Sequence, residues 1–189
     1  MNADRPRTGD GQVVFSTRWF EVVEKTCPGW RDPYYMVRSS DCVTVLAVTA
    51  AGKILLVEQF RPALGRSSLE LPSGHLETGG ESPEAAARRE LLEETGYCAD
   101  ELKLLGVLDP DTGRLNVRLW CFLARNVRKE REAQDGEERI EVSECTMEEF
   151  LEYARQGKLR HAQDLAVALL ALCRNEIGAA SLRQEETES

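Results

Sequence analysis

Residues 81–97, ESPEAAARRELLEETGY, carry the strongest local pattern in this chain. Ser82 suits a helix N-cap and Pro83 the first helical position, while Gly96 is typical of the residue that ends a helix. The alanines and leucines between these signals supply helix propensity and an apolar side. The sequence therefore predicts one helix here, preceded by a short strand and a glycine-rich loop over residues 73–80.

Three carboxylates share one face of this predicted helix, because Glu90, Glu93 and Glu94 are spaced i, i+3 and i+4. Like charges at these spacings repel, so the arrangement costs helix stability unless a cation lies nearby. Hard oxygen ligands suit Mg²⁺ or Mn²⁺. Glu81 lies just before the N-cap and can fold back toward the same site, and Arg89 is placed to orient a carboxylate. A solvated acidic face is the alternative interpretation, and a lone ExxEE would favour it.

The rest of the chain predicts a mixed α+β fold. Strands are expected at residues 13–15, 19–25, 34–38, 42–49, 53–60, 68–72, 103–108, 117–124 and 139–142. Residues 42–49 are nearly all apolar or β-branched, which suits a strand buried on both faces, and they form a hairpin with the next strand. Thr146 and Glu149 form a capping box for a second helix. A third helix, at about residues 162–175, carries a leucine stripe: Leu165, Leu169 and Leu172. We therefore expect helices packed on a mixed, mainly antiparallel sheet.

Composition excludes several classes of protein. The chain has 189 residues, 42% of them hydrophobic, and a net charge of −9, which fits one globular core and argues against a general nucleic-acid binder. No apolar run approaches the ~20 residues needed to cross a bilayer. The polar N-terminus gives no sign of secretion, and the six cysteines, without a CxxC pair, predict reduced and mostly buried thiols. We expect a cytoplasmic protein that binds neither membranes nor nucleic acid.

The helix and its flanks resemble the Nudix hydrolase family. The family signature is Gly, five residues, Glu, seven residues, Arg-Glu, an aliphatic residue, one residue, Glu-Glu, one residue, Gly and an apolar residue. The matching positions in register are Glu81, Arg89, Glu90, Leu91, Glu93, Glu94, Gly96 and Tyr97. The leading glycine departs from the signature, because position 75 is His75 and Gly74 lies one residue early. An extra loop residue between Ser73 and Gly80 explains this offset.

The resemblance, which extends over residues 19–173, implies a fold and a chemistry. The fold is a mixed sheet sandwiched between helices with an N-terminal antiparallel sheet, in one domain over residues 13–177 between a flexible N-terminus (1–12) and tail (178–189). The chemistry is Mg²⁺-dependent hydrolysis of a pyrophosphate. The implied metal ligands are Glu90, Glu93, Glu94, Glu81 and the carbonyl of Ser73, and Glu93 and Arg89 also act in catalysis.

The stretch LLVEQFRPALGRSSLELPSGHLE resembles the ADP-ribose pyrophosphatase branch of the family. In that branch Arg61 would meet a phosphate and Glu70 would line the site. A glutamate shortly before a late strand would act as general base, which favours Glu138 over Glu137 and Glu141.

The same branch implies a substrate, alternatives and an assembly. Trp19, Trp30 and Tyr35 would bind the nucleotide base, although a core or edge-strand role is equally compatible with each of them. The substrate would be a nucleoside diphosphate sugar, ADP-ribose first, converted to AMP and ribose 5-phosphate. The alternatives are another nucleotide sugar, a dinucleotide, a nucleoside triphosphate, or a nucleotide sensor without catalysis. Resembled enzymes pair through their N-terminal strands, so a homodimer is expected.

Overall fold

A computed structural model describes residues 11–133 and 140–177. Within them the strands are β1 (Gln12–Ser16), β2 (Phe20–Lys25), β3 (Tyr34–Ser39), β4 (Cys42–Thr49), β5 (Ile54–Arg61), β6 (Arg66–Glu70), β7 (Ser73–His75), β8 (Tyr97–Cys98), β9 (Leu102–Leu108), β10 (Leu115–Asn116), β11 (Leu119–Lys129) and β12 (Ile140–Cys145). The helices are α1 (Pro83–Thr95), α2 (Met147–Arg155) and α3 (Ala162–Cys173). The predicted α+β class is confirmed.

The larger sheet has the order β12-β5-β4-β11-β8, and β9 also pairs with β11. β4 and β11 run parallel, whereas the other pairs in this sheet are antiparallel. The core lies on both faces of β4: Val43, Val45 and Ala47 pack with the α1 side, and Leu46 packs with the α3 side. The prediction of a doubly buried strand is therefore confirmed, and the sheet is covered by a helix on each face.

The hairpin between β4 and β5 opens immediately after its turn. The two strands are paired only at Val48 and Ile54. Beyond that point β6 pairs with β5, placing Glu70 opposite Val57, and β7 pairs with β4, placing Ser73 opposite Thr44. The crossing segment, which we define as residues 70–73, therefore fills the gap where β4 and β5 part.

The smaller sheet has the order β1-β2-β3-β10. Its first three strands are antiparallel, as predicted, and β10 adds a parallel edge to β3 that the sequence pattern did not predict. A two-residue strand is too short to show a period. This sheet exposes large apolar side chains, among them Val13, Val14, Phe15 and Phe20.

The leucine stripe of α3 does not face the core. Leu165 and Leu169 are exposed, whereas Val167, Ala168 and Ala171 are buried beside Asp164. The prediction that the leucines mark the packing stripe is wrong, because the small side chains let α3 approach the sheet closely. At Gly106 an added methyl group would already press against Leu170.

Membrane-spanning helices and the burial of the cysteines were two subjects of the sequence analysis. No helix among the described residues is long and apolar enough to cross a membrane. All six cysteines are free thiols, but only Cys121 and Cys145 are buried. The prediction of mostly buried thiols is wrong, since several cysteines lie at the ends of elements: Cys42 begins β4, Cys98 ends β8 and Cys173 ends α3.

Candidate active site

The helix that carries the acidic motif is capped as predicted. The Ser82 hydroxyl accepts a hydrogen bond from the backbone N–H of Ala85 at 3.1 Å, and Pro83 opens α1. At the other end Gly96 is left-handed, with φ of 76°, and its N–H donates to the carbonyl of Leu92. These two caps fix the length of the helix and therefore the face on which its carboxylates project.

Arg89 is the centre of the charge cluster. Its guanidinium donates two bonds to Glu81, at 2.9 and 3.0 Å, and single bonds to Glu90 at 2.8 Å and Glu93 at 3.2 Å. A further bond reaches the carbonyl of His75 at 2.9 Å. Because Glu81 folds back onto α1 through this arginine, the structure brings together four residues that the sequence singled out.

Glu94 and Glu90 meet the crossing segment and the residue after it. Glu94 is buried and accepts a hydrogen bond from the Ser73 N–H at 2.9 Å. A methyl group on Gly74 would overlap the carboxylate of Glu90. Gly74, and not position 75, is therefore the glycine that the site requires, which accounts for the offset in the signature.

Burial raises the pKa of Glu94 to about 8, and the single bond from Ser73 opposes this shift only in part. Burial likewise raises the pKa of Glu90, despite its bond from Arg89. A raised carboxyl pKa means that the ionised form lacks compensation in the folded protein. An added cation would therefore stabilise the ionised form of these carboxyls.

The donor set fits a hard divalent cation. Glu90, Glu93 and Glu94 offer carboxylate oxygens on one face, and the backbone at Ser73 lies against them. Among residues 11–133 and 140–177, however, no three His, Cys, Asp or Glu side chains are already gathered as a metal site. Since Arg89 holds Glu90 and Glu93, these carboxylates must turn from the arginine to bind an ion.

Arg61 and Glu70 form a second charged group at the crossing segment. The Arg61 guanidinium donates to both oxygens of Glu70, at 3.1 and 2.5 Å, and Glu70 is almost fully buried. Burial alone would raise the pKa of Glu70, but hydrogen bonds from Arg61 and Ser68 outweigh it and lower that pKa. This bidentate pair fixes the plane of the arginine, as an anion-binding residue requires.

Sequence reasoning missed Asp164, although its helix was expected. Asp164 is fully buried in the first turn of α3, where one oxygen accepts the Leu71 N–H at 3.0 Å and the other lies 3.0 Å from Nδ1 of His161. His161 is the N-cap residue of α3. An aspartate within an otherwise apolar helix was the available sign of a buried carboxylate. Its partner Leu71, however, is distant in sequence and could not be identified.

The predicted base-binding aromatics lie in the smaller sheet and its loops. Trp30 and Tyr35 line a cavity of about 520 Å³ together with Tyr34 and Arg114. The Tyr35 hydroxyl donates to Glu24 at 2.7 Å, and Trp30 packs edge-on against Tyr34. Trp19 is largely exposed and is not among the residues that line this cavity.

The structure describes one of the three glutamates that were considered as the general base. Glu138, and its alternative Glu137, fall outside the described residues. The second alternative, Glu141, lies exposed on β12 opposite Glu58 of β5.

Comparison with known proteins agrees with this geometry. The NUDIX domain family matches residues 38–165. An ADP-ribose pyrophosphatase of Bacillus subtilis is 39% identical over 130 residues, which cover 68% of this chain and 70% of that protein. A mouse ADP-sugar pyrophosphatase is 39% identical over 111 residues, covering 53% of this chain and 50% of that protein.

The fold also has a solved counterpart. The crystal structure of an ADP compounds hydrolase superposes with a TM-score of 0.78 at 19% identity, covering 93% of this chain and 97% of the other. The family match spans well over half of the chain and includes the helix whose carboxylates meet the crossing segment. The chain belongs to the Nudix hydrolase family.

Proposed function

We propose that this enzyme is a Mg²⁺-dependent pyrophosphohydrolase, with Mn²⁺ as a possible substitute, that cleaves a nucleoside diphosphate sugar. ADP-ribose is the first candidate, giving AMP and ribose 5-phosphate. The observation that carries the proposal is the meeting of two charged groups at the crossing segment. Glu94 reaches its end from α1, Glu90 lies against Gly74 directly after it, and the Arg61–Glu70 pair lies at its start. The relatives named ADP-ribose and ADP-sugar pyrophosphatase support this choice of substrate.

Divalent cations, when bound, would neutralise phosphate charge and activate the attacking water. Glu90, Glu93, Glu94 and the Ser73 carbonyl would hold them, with Glu81 as a further ligand. Arg89, which now bonds these carboxylates, would then exchange its bonds to Glu90 and Glu93 for a positioning role, and Glu81 would turn from it only where it binds an ion. Arg61, held in plane by Glu70, would bind a phosphate oxygen.

The general base is proposed to be Glu138. It precedes β12 at the spacing that the resembled branch uses. A general base contributes roughly 10²–10⁴-fold. Glu138→Gln should therefore lower kcat by that range and leave substrate binding and the metal requirement largely unchanged, while Glu137→Gln should be mild. A large loss in Glu137→Gln or Glu141→Gln instead would move the base to that residue.

The base of the nucleotide is proposed to bind at the aromatic residues of the smaller sheet. Trp30 and Tyr35 line one cavity with Arg114, and their rings suit stacking against a planar base. Trp19 would act from a partner subunit, because it lies apart from that cavity's lining.

A homodimer in the cytoplasm is the proposed state of the protein. The exposed apolar side chains of β1 and β2 are the surface through which two chains would pair. Light scattering at micromolar concentration should give twice the chain mass of 21.2 kDa. A monomer mass would contradict the dimer without affecting the proposed reaction.

The deciding experiment is a panel of nucleoside diphosphate sugars, dinucleotides and nucleoside triphosphates incubated with Mg²⁺, with the products separated by chromatography. ADP-ribose or a close nucleotide sugar should be cleaved best. Faster release of pyrophosphate from a triphosphate than of AMP from ADP-ribose would contradict the proposed substrate. No turnover of any member by protein with intact Glu90, Glu93 and Glu94 would favour a nucleotide sensor.

A further inference from the structure

Side-chain carboxylates accept the backbone N–H groups of the crossing segment. In a continuous strand, the backbone of a neighbouring strand would accept them. The Leu71 N–H donates to Asp164 of α3 at 3.0 Å, and the Ser73 N–H donates to Glu94 of α1 at 2.9 Å. Between them Pro72 has no N–H, and its carbonyl accepts from Val45 at 2.9 Å. Two carboxylates, one from the helix on each face of the sheet, therefore position a four-residue segment that borders the site.

Asp164 is built for this position. Its side chain is completely buried, and it occupies the first turn of α3, where the helix dipole favours a negative charge. A buried carboxylate is stable only when its oxygens are hydrogen-bonded and its charge is compensated. The Leu71 N–H meets one oxygen and His161 meets the other, and both bonds oppose the burial that still raises the pKa of Asp164.

His161 links this carboxylate to the Arg61–Glu70 pair. The chain before α3 runs beside β6, since Leu159 bridges to Leu69 in parallel. The bond to Asp164 raises the pKa of His161, burial opposes it, and the charges of Glu70 and Arg61 act on the ring in opposite directions. His161 therefore lies within electrostatic reach of both members of the pair that borders the phosphate site.

We propose that Asp164 and His161 are positioning residues for catalysis: Asp164 fixes the crossing segment through the Leu71 N–H, and His161 holds Asp164 in place beside the Arg61–Glu70 pair. Neither residue touches the reacting atoms. The proposal rests on the proposed function for its kinetic consequence, but not for its structural one. It extends the site to a helix on the face of the sheet opposite α1.

The expected kinetic effect follows from the residues at the two ends of the crossing segment, which both border the proposed active site. A shift of Leu71 moves Glu70 on one side, and with it Arg61, and moves Ser73 on the other. Displacement of outer groups of this kind lowers activity by about 10–100-fold. Because the charge on the phosphate develops further in the transition state, the loss should fall mainly on kcat.

The chain provides a matched control in α2. Glu149 occupies the same position in the first turn of α2 as Asp164 does in α3, and it accepts a hydrogen bond from the Thr146 N–H at 2.7 Å. Asp164→Asn and Glu149→Gln should both lower the Tm. Only Asp164→Asn should lower kcat for ADP-ribose, by about 10–100-fold, with a smaller change in KM. A kcat within twofold of wild type in Asp164→Asn would overturn the proposal.

His161 offers a rescue test. His161→Ala should reproduce the loss of kcat. His161→Asn, which keeps an N–H donor near the position of Nδ1, should restore most of it. Equal losses in the two variants would overturn the proposed hydrogen-bonding role of His161.

An NMR measurement separates this proposal from the proposed function. The Nε–H of Arg61 donates to Glu70, and its resonance can be assigned by comparison with Arg61→Lys. In Asp164→Asn this resonance should shift and exchange faster with water, whereas in Glu149→Gln it should not change. An unchanged resonance in Asp164→Asn would overturn the positioning role even if the enzyme hydrolyses ADP-ribose. A changed resonance would support it even if no nucleotide sugar is cleaved.

Discussion

The two helices that flank the sheet hold the crossing segment with buried carboxylates that have different partners, although burial raises the pKa of both. Asp164 of α3 lies in a first turn, with two hydrogen-bond partners and a histidine beside it. Glu94 of α1 lies in the last turn, where the helix dipole disfavours a negative charge, and it shares its face with Glu90 and Glu93. Asp164 thus finds its charged partner, His161, within the protein, whereas the partner that we propose for Glu94 is an external cation.

The largest expected effect is the loss of turnover when the carboxylates of α1 are replaced. Glu94→Gln should lower kcat with Mg²⁺ by about 10³-fold or more, since a metal-binding carboxylate supports several kcal/mol of transition-state stabilisation. Glu93→Gln should behave similarly, with the fold retained by circular dichroism. Glu152→Gln in α2, whose half-exposed side chain pairs only with neighbouring Arg155 and Gln156, is the control and should retain full activity. Near wild-type activity in the double variant of Glu93 and Glu94 would end the metal-site interpretation.

A second prediction tests the close approach between α1 and β7. Gly74→Ala introduces a methyl group into the space of the Glu90 carboxylate, so kcat should fall by roughly 10²-fold through displacement of that group. Gly113→Ala is a suitable control, because its added methyl group would meet only the exposed Asp111. Steady-state kinetics of the two variants would decide the matter, and equal activities would show that Glu90 can move without loss.

The third prediction uses pH and metal-free protein. Because burial raises the pKa of Glu94 to about 8, the folded state keeps a proton that the unfolded chain loses near its ordinary pKa. Stability should therefore fall as pH rises from about 5 to 8 in the presence of a chelator. Thermal melts should show a smaller fall in Glu94→Gln. The same slope in wild type and variant would assign the loss to other groups.

The smallest effect is expected on the outer face of α3. Leu169→Lys should change the free energy of unfolding by less than about 0.5 kcal/mol, because Leu169 is exposed. Val167→Ala, on the buried face of the same helix, should cost about 2 kcal/mol. Denaturant titrations of the two variants provide the test. A larger loss in Leu169→Lys would indicate that a partner covers this face.

The sequence predicted α1 because its information is local. Ser82, Pro83 and Gly96 each act on the adjacent backbone, and the glutamate spacing sets the shared face directly. The Thr146 and Glu149 capping box was readable for the same reason, and both of its hydrogen bonds are present. Helix caps, which depend on residues no more than four positions apart, were therefore predicted correctly from the sequence.

The unpredicted features depend on contacts between distant residues. Asp164 and Leu71 are 93 residues apart, so no periodicity could join them. The leucine stripe of α3 misled because the close approach of the helix favours Ala168 and Ala171 over larger side chains. The glycine offset could be detected in the sequence, but only the position of Glu90 against Gly74 explains it.

Arg89 has a consequence for how the protein exists between catalytic cycles. By sharing its guanidinium among Glu81, Glu90 and Glu93, it acts as a resident counter-ion at the place where an external ion would bind. We therefore expect the polypeptide to fold without an added ion, unlike small domains whose folding depends on metal. The magnesium that we propose would then be exchangeable, and its removal by a chelator should abolish activity reversibly while the folded protein persists.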